Sequence, residues 1–198
     1  YHNQYRGYCE TLTAMDRDIV TLLDKIDQMG LRDNTLVVYM GDNGMQWGTH
    51  DRHGIREPYE ESARLPMIVR APWLIKDTGA QRRQLTLNID IAPTLMEVAG
   101  VPVPKEMDGQ SFLPLLKDGA NTGRKSFLME FWRYYPENTP GYVGVRTDRY
   151  KYIEFERGRA PWLFDLQNDP KEMRNLYNTA AGQEILPQLT KMLSELRR

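Results

Sequence analysis

Asp42 and Asn43 stand side by side between Gly41 and Gly44, directly behind the apolar run of residues 35–40. A hydrophobic run rich in β-branched residues, stopped abruptly by Asp-Asn, reads as a buried strand that delivers oxygen donors at its carboxyl end. In open α/β sheets that edge is where ligands bind. A carboxylate beside an amide carbonyl suits a hard cation such as calcium or magnesium, because both groups offer oxygen. Asp-Asn-Gly is also ordinary turn chemistry, so the tetrapeptide alone leaves both readings standing.

The elements around this pair follow from periodicity. Leu12, Met15, Ile19, Leu22, Leu23, Ile26 and Met29 fall on one helical stripe, and Gly30 closes it as a C′ glycine. Asp33-Asn34 turn the chain into the strand at 35–40. Residues 43–62 show little periodicity, and a loop that long usually carries function. Residues 65–69 read as the next strand, and 90–98 as a helix ended by Gly100 with Pro102 and Pro104 beyond. This alternation points to an α/β layer architecture. Residues 117–123 form a polar, Gly-bearing linker. Past it, residues 127–132, 142–146, 150–155 and 162–166 read as short strands. A closing helix is expected over 185–196, with Pro187 in its first turn. Glu60, Glu61 and Arg64, three and four apart, read as a local ion pair on a helical turn. Arg149 and Lys151 alternate along a strand and read as a solvated face.

Longer motifs carry a resemblance. The strand with Asp42-Asn43-Gly44 is followed by Gly48-Thr49-His50 and by Tyr59-Glu60-Glu61-Ser62-Ala63-Arg64-Leu65-Pro66. Then come Asp90-Ile91-Ala92-Pro93-Thr94-Leu95, Asp108-Gly109-Gln110-Ser111-Phe112-Leu113, Val145-Arg146-Thr147-Asp148-Arg149-Tyr150-Lys151-Tyr152, and Leu163-Phe164-Asp165-Leu166 leading to Asp169-Pro170, Glu172 and Asn175-Leu176. In order and spacing this set resembles the sulfatases over nearly the whole chain, and what it resembles is their C-terminal part.

The resemblance implies an α/β fold of the alkaline phosphatase type. Residues 1–118 would be the C-terminal part of the catalytic α/β domain, a mixed sheet flanked by helices. Residues 119–198 would be a small antiparallel sheet subdomain with a closing helix. It implies hydrolysis of a sulfate monoester, with a formylglycine nucleophile made from Cys or Ser in a Cys/Ser-x-Pro/Ala-x-Arg segment. The single cysteine, Cys9, is followed by Glu10-Thr11-Leu12-Thr13 and does not fit. A lone cysteine in a helical pattern reads as a small buried hydrophobe. The nucleophile, a first pair of metal-binding aspartates and early Lys and His groups are expected upstream, in a missing N-terminal half of the fold.

Asp42 and Asn43 align with the family's second metal-ligand pair, which holds a divalent cation, normally calcium. The family's sulfate-binding lysine, four residues before Tyr59, is here Ile55, which can neither donate a hydrogen bond nor neutralise an oxygen. Arg56, His53 or Arg52 would have to supply that charge, and the arginine fork fits a sulfate edge well. His50 lies where many sulfatases carry a histidine near the substrate, as donor or as general acid. The plain alternative is a loop histidine bonded to backbone. His50 and Arg56 are therefore the catalytic candidates, and His53, Glu130 and Arg133 the substrate-binding ones. Glu130 with Phe131, Trp132, Tyr134 and Tyr135 suits sugar hydroxyls, although edge-strand aromatics are commonly core. Residues 136–142 resemble bacterial glycan sulfatases, which suggests a carbohydrate sulfate.

Two other readings remain on the same residues. One is a phosphomonoester or phosphonate hydrolase of the same fold, although those relatives tend to carry Asp-His where this chain has Asp42-Asn43. The other is a non-catalytic fragment that acts as a binding surface, supported by Ile55 and the absent nucleophile. Among 198 residues, Lys and Arg number 26 and Asp and Glu 27, so a net charge of −1 offers no field for nucleic acid. No apolar run is long enough for a membrane span. The expected partners are a sulfated small molecule or glycan and the N-terminal half of the fold. By itself the chain is expected to need that half, to self-associate into a homo-oligomer or to aggregate, since a split sheet exposes an apolar edge. The family setting would be periplasmic or extracellular.

Overall fold

The computed structural model describes residues 2–119, 123–133 and 140–197, which group into two compact units. The first comprises Tyr1–Ile55 and Glu61–Ala80, the second Arg56–Glu60 and Gln81–Arg198.

In the first unit, helix α1 (His2–Gln28) follows the apolar stripe, and Gly30 takes the left-handed backbone (φ 70°) expected of a C′ residue. None of its side chains is fully buried, and Leu22, like Met29 just past the helix, stands exposed. Strand β1 (Val37–Met40) pairs antiparallel with β4 (Met67–Arg70), Val37 opposite Arg70 and Met40 opposite Met67. Arg70 Nη2 reaches back to Asp27 near the end of α1 at 2.6 and 2.8 Å, tying helix to sheet. The expected buried strand is only half-buried, because β4 is its sole strand neighbour among the described residues. Between them lie a hairpin, β2 (Gln46–Trp47) with β3 (His53–Gly54), and a single helical turn, α2 (Glu60–Ala63).

The second unit is built on a four-stranded antiparallel meander, β5 (Ser126–Phe131), β6 (Tyr142–Thr147), β7 (Tyr150–Phe155) and β8 (Trp162–Asp165). These are the four strands expected from the shortened period. Strand alternation sorts their side chains onto two faces. Val145, Tyr152 and Leu163 face the closing helix α5 (Ala180–Leu196) and pack with its Leu189 and Leu193. Met129, Ile153, Trp162 and Phe164 form the other core layer, where Tyr59 packs. Helices α3 (Ile91–Val98) and α4 (Leu113–Asp118) complete the unit. α4 carries the chain into the stretch read as linker, and residues 120–122 of that stretch lie outside the described residues.

Helix α5 starts at Ala180, five residues before its expected start, so Pro187 sits inside it rather than in the first turn. The cause is upstream. Thr179 Oγ1 accepts the Gly182 amide at 3.1 Å as an N-cap, and Gly182 lies so close to the Leu176 carbonyl that a Cβ would stand 1.9 Å from it. Burial of Leu189 and Leu193 offsets the backbone hydrogen bond lost at the proline.

The family motifs of this unit turn out to be structural joints. Asp90 is buried and accepts the amides of Leu87 (2.7 Å) and Gln110 (2.8 Å), and it pairs with Arg124. Asn175 Oδ1 accepts Leu163 N at 2.9 Å while its Nδ2 donates to the Pro161 carbonyl at 3.0 Å.

Candidate functional site

The Asp-Asn turn sits at the carboxyl end of β1. Asp42 is exposed and Asn43 half-buried. Asp42 Oδ1 accepts the Asn43 amide at 2.8 Å, and Asn43 Nδ2 donates to the Gly44 carbonyl at 3.3 Å, which leaves the amide oxygen for another partner. The turn is held by Gly44, whose N–H donates to the Ser62 carbonyl at 2.8 Å. A Cβ at Gly44 would stand 2.0 Å from the Glu61 carbonyl oxygen, so only glycine permits this approach. Ser62 Oγ in turn donates to the buried Gln46 Oε1 at 3.2 Å. The oxygen donors fit one side of a hard-cation site, since calcium takes six to eight oxygens. No group of three or more His, Cys, Asp or Glu side chains placed for a metal occurs among the described residues.

His50 occupies the tip of the β2–β3 hairpin. Gly48 N–H donates to Arg52 O at 2.8 Å and Arg52 N–H to Thr49 O at 3.0 Å, winding residues 48–52 tightly. That winding forces His50 (φ 56°) and Asp51 (φ 55°) into the left-handed region, which non-glycine residues visit at a cost. His53 pairs with Trp47 across the hairpin, ring edge to ring face at 5.2 Å. Tyr5 and Tyr8 of α1 lie against the same indole at 5.6 and 5.0 Å. Asp42, Asn43, His50 and His53 thus all belong to the first unit, while Arg56, Glu130 and Arg133 belong to the second.

Arg56 is exposed, as is Ile55 at 40 %. Glu130 is exposed on β5, Trp132 beyond it is 78 % exposed, and Arg133 is half-buried. Glu130 lies on the sheet face that carries α5, with Leu128 beside it. Tyr134, Tyr135 and residues 136–139 of the glycan-sulfatase-like stretch lie outside the described residues. Cys9 is half-buried within α1, and the Glu10-Thr11-Leu12-Thr13 that follows it does not fit the segment from which a formylglycine is made.

What sequence reasoning missed is how Pro58 and Glu60, just after Arg56 in the chain, are held. Lys151, read as solvated, is 0 % exposed: its Nζ donates to the Pro58 carbonyl at 2.8 Å and to Glu172 Oε1 at 2.6 Å, and it pairs with Glu60 Oε1 at 2.8 Å. Glu60 is fixed by Arg146 as well, whose Nη2 and Nε donate to it at 2.9 and 3.3 Å. The Glu60–Arg64 local pairing is thus corrected to a long-range one, and Lys151 belongs to the interior because two of its three partners are carboxylates. Burial alone would raise the Glu60 carboxyl, but the Arg146 hydrogen bond and the charges of Lys151 and Arg146 outweigh it and hold Glu60 at about 2. Burial pushes Glu172 up, with Lys151 opposing it. Beside them, Arg159 Nη1 donates to Glu57 Oε2 at 3.2 Å and stacks over Phe155 and Trp162 at 4.2 and 4.4 Å. Burial, with Glu57 nearby, pushes the Tyr142 hydroxyl up to about 12.

Residues 46–198 match the family described as N-sulphoglucosamine sulphohydrolase, C-terminal. An N-acetylglucosamine-6-O-sulfatase of Bacteroides thetaiotaomicron is 33% identical over 203 residues, an alignment that covers 100% of this chain and 36% of that protein. A solved structure of a protein in complex with its substrate D-glucosamine-2-N,6-O-disulfate superposes with a TM-score of 0.87 at 32% identity, covering 93% of this chain and 38% of that one. A phosphonate monoester hydrolase of Agrobacterium radiobacter superposes at 0.81 with 26% identity, covering 92% of this chain and 38% of that one. The chain therefore spans a little over a third of each relative's length.

Proposed function

The chain belongs to the sulfatase family, whose C-terminal part it carries, and from that premise we propose that the enzyme it is part of hydrolyses a sulfate monoester of a carbohydrate. The observation that carries the reading is the superposition, across almost the whole chain, on a protein bound to a disulfated glucosamine. The division of residues 1–118 and 119–198 between catalytic domain and small subdomain is part of the same proposal.

Asp42 Oδ and Asn43 Oδ would hold a divalent cation, calcium being the family's usual one, at the end of β1. When bound, that cation supplies Lewis-acid polarisation of the sulfate oxygens. The remaining work falls to this chain's own side chains. His50, displayed at the hairpin tip, would donate a hydrogen bond to the substrate or a proton to the leaving alcohol oxygen. Arg56 would take the place of the lysine lost at Ile55 and neutralise negative charge on the sulfate oxygens. His53, Glu130 and Arg133 would contact the sugar, the carboxylate accepting from hydroxyls. The nucleophile is not among the residues of this chain.

Turnover of glucosamine 6-O-sulfate and aryl sulfate by the enzyme carrying this chain, with calcium present, tests the reading. A folded, metal-loaded enzyme with no turnover on any sulfate ester overturns it in favour of a binding role. The second reading, phosphonate monoester hydrolysis, draws on the Agrobacterium neighbour. Turnover of phosphonate monoesters in preference to sulfates would establish it.

A further inference from the structure

We propose that Lys151 and Glu172 are positioning residues for Arg56, acting through a buried clamp on residues 57–60; the inference rests on the role given to Arg56 above. The chain leaves the first unit after Ile55, and Arg56–Glu60 belongs to the second unit before the chain returns to the first at Glu61. Within that short excursion almost every residue is gripped by the antiparallel sheet or by the turns that flank its last strand. Glu57 takes the Arg159 guanidinium at 3.2 Å. The Pro58 carbonyl accepts Lys151 Nζ at 2.8 Å. The Tyr59 ring lies 4.5 Å from Trp162 and 6.2 Å from Phe164. Glu60 is held twice, by its amide on Glu172 Oε2 at 2.7 Å and by its carboxylate on Arg146 and Lys151 at 2.9 and 2.8 Å.

These contacts fix backbone as well as side chains. Lys151 binds a main-chain carbonyl and Glu172 a main-chain amide, two residues apart, which sets the path of the segment beginning at Arg56. Glu172 itself holds a left-handed backbone (φ 56°) while buried, a conformation that persists only where surrounding contacts over-determine it. A loop arginine is a poor substitute for a preset lysine unless its backbone is preset too, since charge stabilisation depends on donors already in place. The clamp provides that preorganisation from a β-strand and a turn far along the chain.

The test uses the enzyme that carries this chain, with Glu172→Gln, Lys151→Met and, as a control on the other edge pair of the sheet, Arg149→Gln. Lys151→Met strips the buried Glu172 of its cation and Glu60 of one of its two, so Glu172→Gln runs beside it as the milder variant. Amide exchange at Tyr59 and Glu60 is expected to quicken at least tenfold in Glu172→Gln, with cooperative melting retained, and to stay unchanged in Arg149→Gln. On aryl sulfate, kcat/KM is expected to fall about tenfold or more. Combined with Arg56→Ala, Glu172→Gln should add little further loss, because both act through the same guanidinium. Unchanged exchange overturns the clamp. Quickened exchange with fully additive losses overturns the positioning role. An unaltered enzyme with no sulfate turnover sinks the functional reading alone, and the exchange result then still supports or overturns the clamp.

Discussion

Arg146 and Lys151 stand directly opposite one another in the register of β6 and β7, two cations on the same face of one sheet. Like charges so placed are destabilising unless anions intervene. The anions come from elsewhere in the chain: Glu60 from the single turn α2 and Glu172 from the turn after β8. A pair of charges that looks unfavourable in the sheet is thus the reason residues 57–60 are drawn onto it.

Acid should undo this junction. Glu60 is lowered from 4.5 to about 2, so it contributes stability that is fully present above pH about 4.5 and is lost as pH falls through about 2. The shift corresponds to about 3 kcal/mol. Asp165, held at about 2 chiefly by the Arg149 hydrogen bond, acts with the same sign. Glu172, shifted upward, acts with the opposite sign above the ordinary carboxylate range. Urea unfolding at steps between pH 5 and 2 should show stability dropping with acidity, and Glu60→Gln should flatten the dependence. An unchanged slope in that variant would contradict the pairing.

Gly44 and Gly41 should differ sharply. At Gly44 a Cβ meets the Glu61 carbonyl at 2.0 Å, whereas at Gly41 it meets Asn43 O at 3.4 Å and the Leu65 side chain at 3.7 Å. Gly44→Ala is expected to cost about 1–3 kcal/mol and to displace the Asp-Asn turn. Gly41→Ala should be milder. Thermal melts and calcium titration of both variants decide it, and equal tolerance would refute the close-approach argument.

Cation dependence should follow Asp42. Chelation is expected to abolish turnover and calcium to restore it, while Asp42→Asn should need at least tenfold more calcium, having lost one anionic ligand. This chain by itself should bind calcium only at about millimolar or weaker, with two side-chain donors in place of six to eight. A calcium dependence identical in Asp42→Asn and unaltered enzyme would remove Asp42 from the site.

The charge lost at Ile55 gives a rescue experiment. If Arg56 has taken over, Arg56→Ala lowers kcat by about a hundred- to a thousandfold. Adding Ile55→Lys to that variant should recover a large part of the loss. An active Arg56→Ala enzyme would show that another group neutralises the sulfate.

Much of the architecture was legible because it is local. The apolar stripe from Leu12 to Met29 and Gly30 behind it mark α1, and period-two stretches mark β5 to β8. The ordered motifs marked the family, and the strand-turn context of Asp42-Asn43 marked the candidate site. Local reasoning failed where a short-range signal competed with a distant one. Pro187 suggested a helix start, yet the Thr179 cap and the close fit of Gly182 on Leu176 start α5 earlier. Arg149 and Lys151 alternate as solvated residues do, and Arg149 is indeed exposed beside Asp165, but Lys151 is buried.

Residue order and spacing by themselves therefore determined α1, the strands β1, β4 and β5 to β8, the family and the Asp-Asn turn at the strand end. Only the tertiary structure decided which charges are interior. Arg146 meets Glu60 across 86 positions of sequence and Lys151 meets Glu172 across 21. Periodicity reports which face a side chain takes, but a buried cation is stable only where its counter-charges arrive. Those arrive through the folded path of the chain, which no local window contains.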